Sequence, residues 1–312
     1  MDGYLPVAES LGPVSAPLAR QQTIAHAMTC TGVGLHSGHP VNVALRPAAT
    51  GTGIVFRRVD LGVDIVARFD AVSDTRLCTV LASAERADVV VGTVEHLMAA
   101  LSASEIANIV VEVDGPELPV LDGSAEPWLF LLDCAGREVQ ETPRTEIEIL
   151  RAVRVTEGEA FAELRPGGAG YLDLSVAIEF PAAAIGRQSL SLAMTPGAFR
   201  EVARARTFAQ AHEIAGLRAA GLAKGGSLDN AVVVDGPAVM NPAGLRMRDE
   251  FVRHKLLDAV GDLALGGALR GRFVGWRSGH ALNNRVLRAL FADAANWRAT
   301  RTDDFGWLRE AA

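Results

Sequence analysis

Strand-like and helical runs in this chain are grouped rather than strictly alternating, and that grouping constrains the fold more than any other feature. Residues 41–45, 54–57, 88–91 and 108–113 read as strands, and helices are expected at 94–101 and 127–134. After Arg144 the pattern recurs: strands at 147–155, 160–164 and 172–178, then helices at 196–203, 214–220 and 251–265. A sheet must cover one face and a helix one stripe, so strands ahead of helices in each half predict two α+β domains. The polar stretch 140–146, with Pro143, is the expected join, and 166–170 (PGGAG) reads as a turn between two strands. A length of 312 residues with 49% hydrophobic side chains suffices for two cores.

Chemistry is concentrated in 251–262 (FVRHKLLDAVGD). His254, Asp258 and Asp262 recur every four residues, so a helix aligns them along one stripe. Val252, Leu256, Leu257, Val260 and Leu263 surround that stripe. Imidazoles and carboxylates beside an apolar face are costly to desolvate unless paired or bound to a metal, which makes this a candidate site. The plain alternative is a helix with two exposed acids and a satisfied histidine.

A second pair, Glu95 and His96, stands at an expected helix start just after Thr93. Adjacent helical residues point about 100° apart, so one can bind a metal while the other reaches the water on it. His96, His254 and Asp258 supply the three N/O ligands that a catalytic zinc with an open fourth position needs. Glu95 would then be the general base. A lone Glu-His pair is otherwise an ordinary surface feature. A third segment, 276–285 (WRSGHALNNR), reads as a loop from which His280 can be aimed into a cleft, with Asp262 as the carboxylate that would keep it protonated. A solvated loop histidine is its alternative.

The net charge of −7 gives no general footprint for nucleic acid. Any phosphate group on a ligand would have to be met locally, by residues such as Lys255 and Arg151. Cys30, Cys78 and Cys134 form no CxxC pair and leave one odd, which favours a reducing cytoplasm. No apolar run approaches the roughly 20 residues of a spanning helix, and the N-terminus lacks a basic region followed by an apolar core, so no export signal is expected.

Taken in order, GVGLHSG (32–38), TVEHLMAAL (93–101), DGSAEPW (122–128), RARTF (204–208), GGSLDNAVVVD (225–235), EFVRHKLLDAVGDL (250–263) and SGHALNN (278–284) resemble the UDP-3-O-acyl-N-acetylglucosamine deacetylases, the LpxC family of lipid A biosynthesis. The resemblance runs from about Gln21 to the C-terminus. It implies two related α+β sandwiches with helices between the sheets and a metal at their interface. The corresponding boundaries are an N-terminal extension at 1–20, a first domain at 21–142 and a second at 143–312. The extension carries Pro6, Pro13 and Pro17 and is expected to be a poorly ordered tail.

By the same resemblance, Zn2+ is held by His96, His254 and Asp258, and Glu95 is the base. His280 is the protonated histidine, Asp262 supports it, and Thr207 binds the oxyanion. Lys255 contacts substrate phosphate, Phe208 belongs to the substrate site, and Cys78 lies near the metal without serving as a ligand. The apolar run 214–222, with Leu217 and Leu222, leads into a strand at 231–234. It falls on an insertion near 209–235 that forms a βαβ unit with a passage for the 3-O-acyl chain; the alternative is that these side chains fill the second core. The implied reaction removes the N-acetyl group of a UDP-linked, 3-O-acylated glucosamine. A non-catalytic nucleotide-sugar binding protein with a structural metal, and a zinc deacetylase for another acylated sugar, are the competing readings. The enzyme is expected to be a cytoplasmic monomer that meets a membrane at most peripherally, without room for the second enzyme domain fused to some family members.

Overall fold

The computed structural model describes residues 19–167 and 172–299. Residues 1–18 of the expected tail and 168–170 of the expected turn lie outside the described residues. The first half builds a five-stranded sheet in the order Met28–Val33, Pro40–Pro47, Ile109–Val113, Ile54–Arg58, Val63–Val66. Its pairing is antiparallel except between Ile54–Arg58 and Ile109–Val113, which run parallel. The helices α1 (Glu95–Ala103) and α2 (Glu126–Ala135) belong to this half.

The second half builds a seven-stranded sheet around the long strand Ala268–Trp276. That strand pairs antiparallel with Ala160–Arg165 and parallel with both Leu172–Glu179 and Glu146–Ile149. Its helices are α3 (Pro196–Ala203), α4 (Ala211–Ala219), α5 (Glu250–Ala264) and α6 (His280–Phe291). Thr195 caps α3 by accepting from the Ala198 N–H, and Pro196 fills the first helical position where no donor is needed. The architecture is therefore the α+β class expected from the grouped runs.

Helices α1 and α5 pack against each other, and α5 also packs on Leu172–Glu179. One continuous apolar core joins Phe56 and Ile65 of the first sheet, Leu97 and Leu101 of α1, Phe251 and Leu257 of α5, and Phe273 of the second sheet. Nearly every residue of α1 is buried, as expected of a helix apolar on all sides. Gly261 makes the α1–α5 crossing possible: a Cβ there would lie 2.0 Å from the Glu95 carbonyl oxygen.

Several expectations need correction. The single strand 147–155 is two, Glu146–Ile149 and Val153–Glu157, because residues 150–152 turn outward and the Leu150 and Arg151 N–H groups donate to the Asn296 carbonyl. The first follows the strand Ala268–Trp276, and the second pairs with Ala160–Arg165. The join 140–146 is shorter, since Arg137–Pro143 is a strand antiparallel to Arg20–Ile24, a partner more than a hundred residues away. Strand 88–91 shrinks to Val90–Val91 because the Val89 N–H closes a turn onto Arg86. The loop expected around His280 is the start of α6, with Gly279 at the N-cap. No helix among the described residues is long and apolar enough to cross a membrane.

Candidate metal centre

Two helices supply the centre. On α5, His254, Asp258 and Asp262 are all buried along one stripe. The N-terminal turn of α1 brings Glu95 and His96 against that stripe. His96 Nε2 and His254 Nε2 lie 3.6 and 3.4 Å from Asp258 Oδ1, and the candidate ligand atoms of the three residues are within 4.8 Å of one another. Asp258 Oδ1 is buried and has no hydrogen-bond partner. A buried carboxylate oxygen without a donor is costly, so an orphaned oxygen between two imidazoles fits a bound cation. The tautomer of His254 agrees, because its Nδ1–H donates to the Ala205 carbonyl at 3.0 Å and leaves Nε2 as the free lone pair.

The electrostatics point the same way. Burial lowers the His254 pKa to about 4, so the imidazole is neutral and able to ligate. Burial alone would raise Asp258, but its neighbours His254, Lys255 and His96 hold it well below the usual carboxylate range. Its Oδ2 accepts from Lys255 Nζ at 2.7 Å. Burial acts against the Lys255 ammonium, yet the Asp258 charge keeps its pKa above the ordinary value.

Beside this triad stand two further buried titratable side chains, Glu95 and His280. Burial raises the Glu95 pKa, and Glu95 Oε2 accepts from the Thr79 N–H at 3.0 Å. His280 Nε2 is 3.9 Å from Glu95 Oε1, while its Nδ1 meets Asp262 Oδ2 at 2.9 Å. Burial would depress His280, but the Asp262 charge and hydrogen bond override it and lift the pKa to about 9. Asp262 is itself held by the Thr79 hydroxyl at 2.6 Å and the Asn283 amide at 2.9 Å.

The structure gathers Glu95, His96, His254, Asp258, Thr207 and His280 around one cavity of about 190 Å³, bordered by Phe208 and Lys255. Phe208 sits edge-on to Phe251 and Phe180. Asp262 lies behind this wall, in contact with His280. Arg151 is not brought there: it is exposed, in the turn between Glu146–Ile149 and Val153–Glu157 whose backbone is tied to the Asn296 carbonyl. Leu217 and Leu222 are half-buried on the insertion and do not line this cavity. Since α4 has no buried residue, it does not fill the second core. Phe208–Gln210 and Val232–Asp235 pair in parallel on either side of α4, which is the expected βαβ unit. The Cys78 thiol is buried, and burial pushes its pKa up to about 12.

Thr79, Asn283, Gly261, Arg206 and Glu250 were not legible as site residues. Glu250 had a signal, standing one further step of four before His254.

The family model LpxC, UDP-3-O-acyl N-acetylglycosamine deacetylase, matches residues 21–292. A UDP-3-O-acyl-N-acetylglucosamine deacetylase of Phenylobacterium zucineum is 51% identical over 89% of this chain and 95% of its own length. The enzyme of the same name from Idiomarina loihiensis is 47% identical over 92% of this chain and 94% of its own, and that of Pseudoalteromonas atlantica is 45% identical over 92% and 95%. With matches of that extent and a buried triad suited to a metal, the chain belongs to the UDP-3-O-acyl-N-acetylglucosamine deacetylase family, whose members are metal-dependent amidases.

Proposed function

We propose that this chain hydrolyses the N-acetyl group of UDP-3-O-acyl-N-acetylglucosamine to acetate and UDP-3-O-acyl-glucosamine, the committed step of lipid A biosynthesis. The observation that carries the reading is the partnerless Asp258 oxygen between two imidazoles, on the same cavity as the Glu95–His280 pair. Two imidazoles and one carboxylate with an open fourth position suit zinc. Held by His96, His254 and Asp258, a zinc ion would supply Lewis-acid polarisation of the amide carbonyl and a water acidic enough to lose its proton near neutral pH.

The chain's own groups then divide the work. Glu95, its carboxyl raised by burial, takes the proton of the attacking water. Thr207 faces the developing oxyanion as a hydrogen-bond donor. His280, kept cationic by Asp262 and 3.9 Å from Glu95, gives a proton to the departing nitrogen or a hydrogen bond to the oxyanion. Water is thereby split across the amide, and the products are a carboxylate and an amine. Lys255, which borders the cavity, would meet a diphosphate oxygen, with Phe208 as an apolar wall. The insertion near 209–235 would receive the acyl chain. A non-catalytic binding protein has no use for Glu95 beside an open metal position.

The same reading divides the chain into domains at 21–142 and 143–312, working as a monomer in the cytoplasm. Three free thiols and a nucleotide-linked substrate support that compartment. The test pairs metal content with acetate release from the UDP-sugar. Ala at His96, His254 or Asp258 should remove most zinc and nearly all turnover. Glu95→Ala should keep zinc and lose on the order of 10²-fold or more. Stoichiometric zinc in His254→Ala, or loss of zinc in Glu95→Ala, would overturn the assigned roles.

A further inference from the structure

Residues 205–207 run past the centre in a row, and each meets it differently. The Ala205 carbonyl accepts the His254 Nδ1–H at 3.0 Å, and Thr207 lines the cavity. The Thr207 N–H donates to the Gly123 carbonyl at 2.8 Å, and its own carbonyl accepts from the Val232 N–H at 2.8 Å. Between them the Arg206 guanidinium is buried against Glu250, whose side chain is fully buried.

Glu250 accepts four hydrogen bonds. Oε1 takes the Arg206 N–H at 3.0 Å and Nε at 2.8 Å; Oε2 takes Arg206 Nη2 at 3.2 Å and the Arg246 N–H at 2.7 Å. Arg206 Nη2 also donates to the Gly244 carbonyl at 2.9 Å. Glu250 opens α5, where a carboxylate is favoured by the helix dipole. It also extends the stripe, so 250, 254, 258 and 262 succeed one another at helical spacing on one buried face. A carboxylate and a forked cation thus bolt the 205–207 segment to the helix that carries His254 and Asp258.

Buried ion pairs contribute little net stability, and apolar side chains of similar volume often serve as well. What apolar side chains could not do is fix backbone N–H groups and a carbonyl at set positions. We propose that Arg206 and Glu250 form a positioning pair that holds the Ala205 carbonyl on His254 and Thr207 against the cavity, so that metal affinity and turnover depend on them jointly. The inference rests on the reading of His254 as a metal ligand.

The test uses the full chain carrying Arg206→Lys, Glu250→Gln, or Arg206→Met together with Glu250→Met. Four quantities are measured: the metal dissociation constant by chelator competition, the visible spectrum of the cobalt-substituted protein, kcat and KM separately, and the thermal midpoint. In the double variant the midpoint should stay near wild type. Metal affinity should fall on the order of 10–100-fold, the range for lost support of a ligating histidine, with an altered cobalt spectrum and a lower kcat at nearly unchanged KM. Arg206→Lys should fall between, because an ammonium cannot reproduce the fork. A folded double variant with wild-type metal affinity and kcat would overturn the proposal. If the double variant does not fold, Arg206→Lys and Glu250→Gln decide, and values within twofold of wild type for both would be equally fatal. Failure of the wild-type protein itself to bind metal would count against the proposed function instead.

Discussion

His280 shows how a single residue acquires its role from neighbours far away in sequence. Burial alone would make it a weak base, yet Asp262 lifts its pKa from 6.5 to about 9, and Asp262 is ready to do so because Thr79 and Asn283 orient it. The folded value is above the unfolded one. The pair's stabilisation is therefore fully present below about pH 6.5 and is lost as the pH rises through about 9. Turnover should follow the imidazolium, with a basic limb near pH 9 that His280→Ala abolishes and Asp262→Asn shifts to lower pH. A pH–rate profile checks this; a basic limb left in place by both variants would show that another group controls it.

Among the elements, α1 and α5 work as one unit and α4 stands apart. Gly261 lets the Glu95 backbone lie directly on α5, so the proposed base and the candidate ligands hold a fixed spacing without a linking loop. By contrast, α4 leaves all of its residues at least partly exposed while carrying Ile214 and Leu217, an apolar surface that the described residues cover only in part. Because little is packed there, Leu217→Asp or Leu222→Asp should change stability by no more than about 0.5 kcal/mol. If the insertion receives the acyl chain, each CH₂ it buries contributes roughly 0.8 kcal/mol, and those variants should weaken a long-chain substrate far more than one with a short 3-O-acyl group. Comparing kcat/KM for the two substrates decides it; equal losses at unchanged thermal midpoint would remove α4 from the acyl site.

At the scale of the whole molecule, the candidate ligands come from both halves, His96 from the first and His254 with Asp258 from the second, so a bound metal ties the halves together. Ion binding to the folded chain alone stabilises it by roughly 4 kcal/mol at a thousandfold excess over Kd. Chelation should accordingly lower the thermal midpoint of the wild-type protein and leave that of Asp258→Ala nearly unchanged, as read by calorimetry. The residue types that do this chemistry were legible in the chain, because the four-residue spacing of His254, Asp258 and Asp262 and the adjacency of Glu95 and His96 are local facts that helix periodicity turns into geometry. Grouped runs likewise determined the α+β class. What the chain alone did not disclose was everything settled by distant partners. Arg137–Pro143 is a strand only because Arg20–Ile24 pairs with it, and Ala268–Trp276, broken by two glycines and two arginines, becomes the central strand only through three neighbours. His280 leaves the expected loop for a helix start, Arg151 falls in a turn tied to Asn296, and Glu250 is committed by Arg206. Periodicity is written in consecutive residues, whereas strand pairing and buried hydrogen bonds join residues scores of positions apart, and tertiary packing alone selects which of them meet.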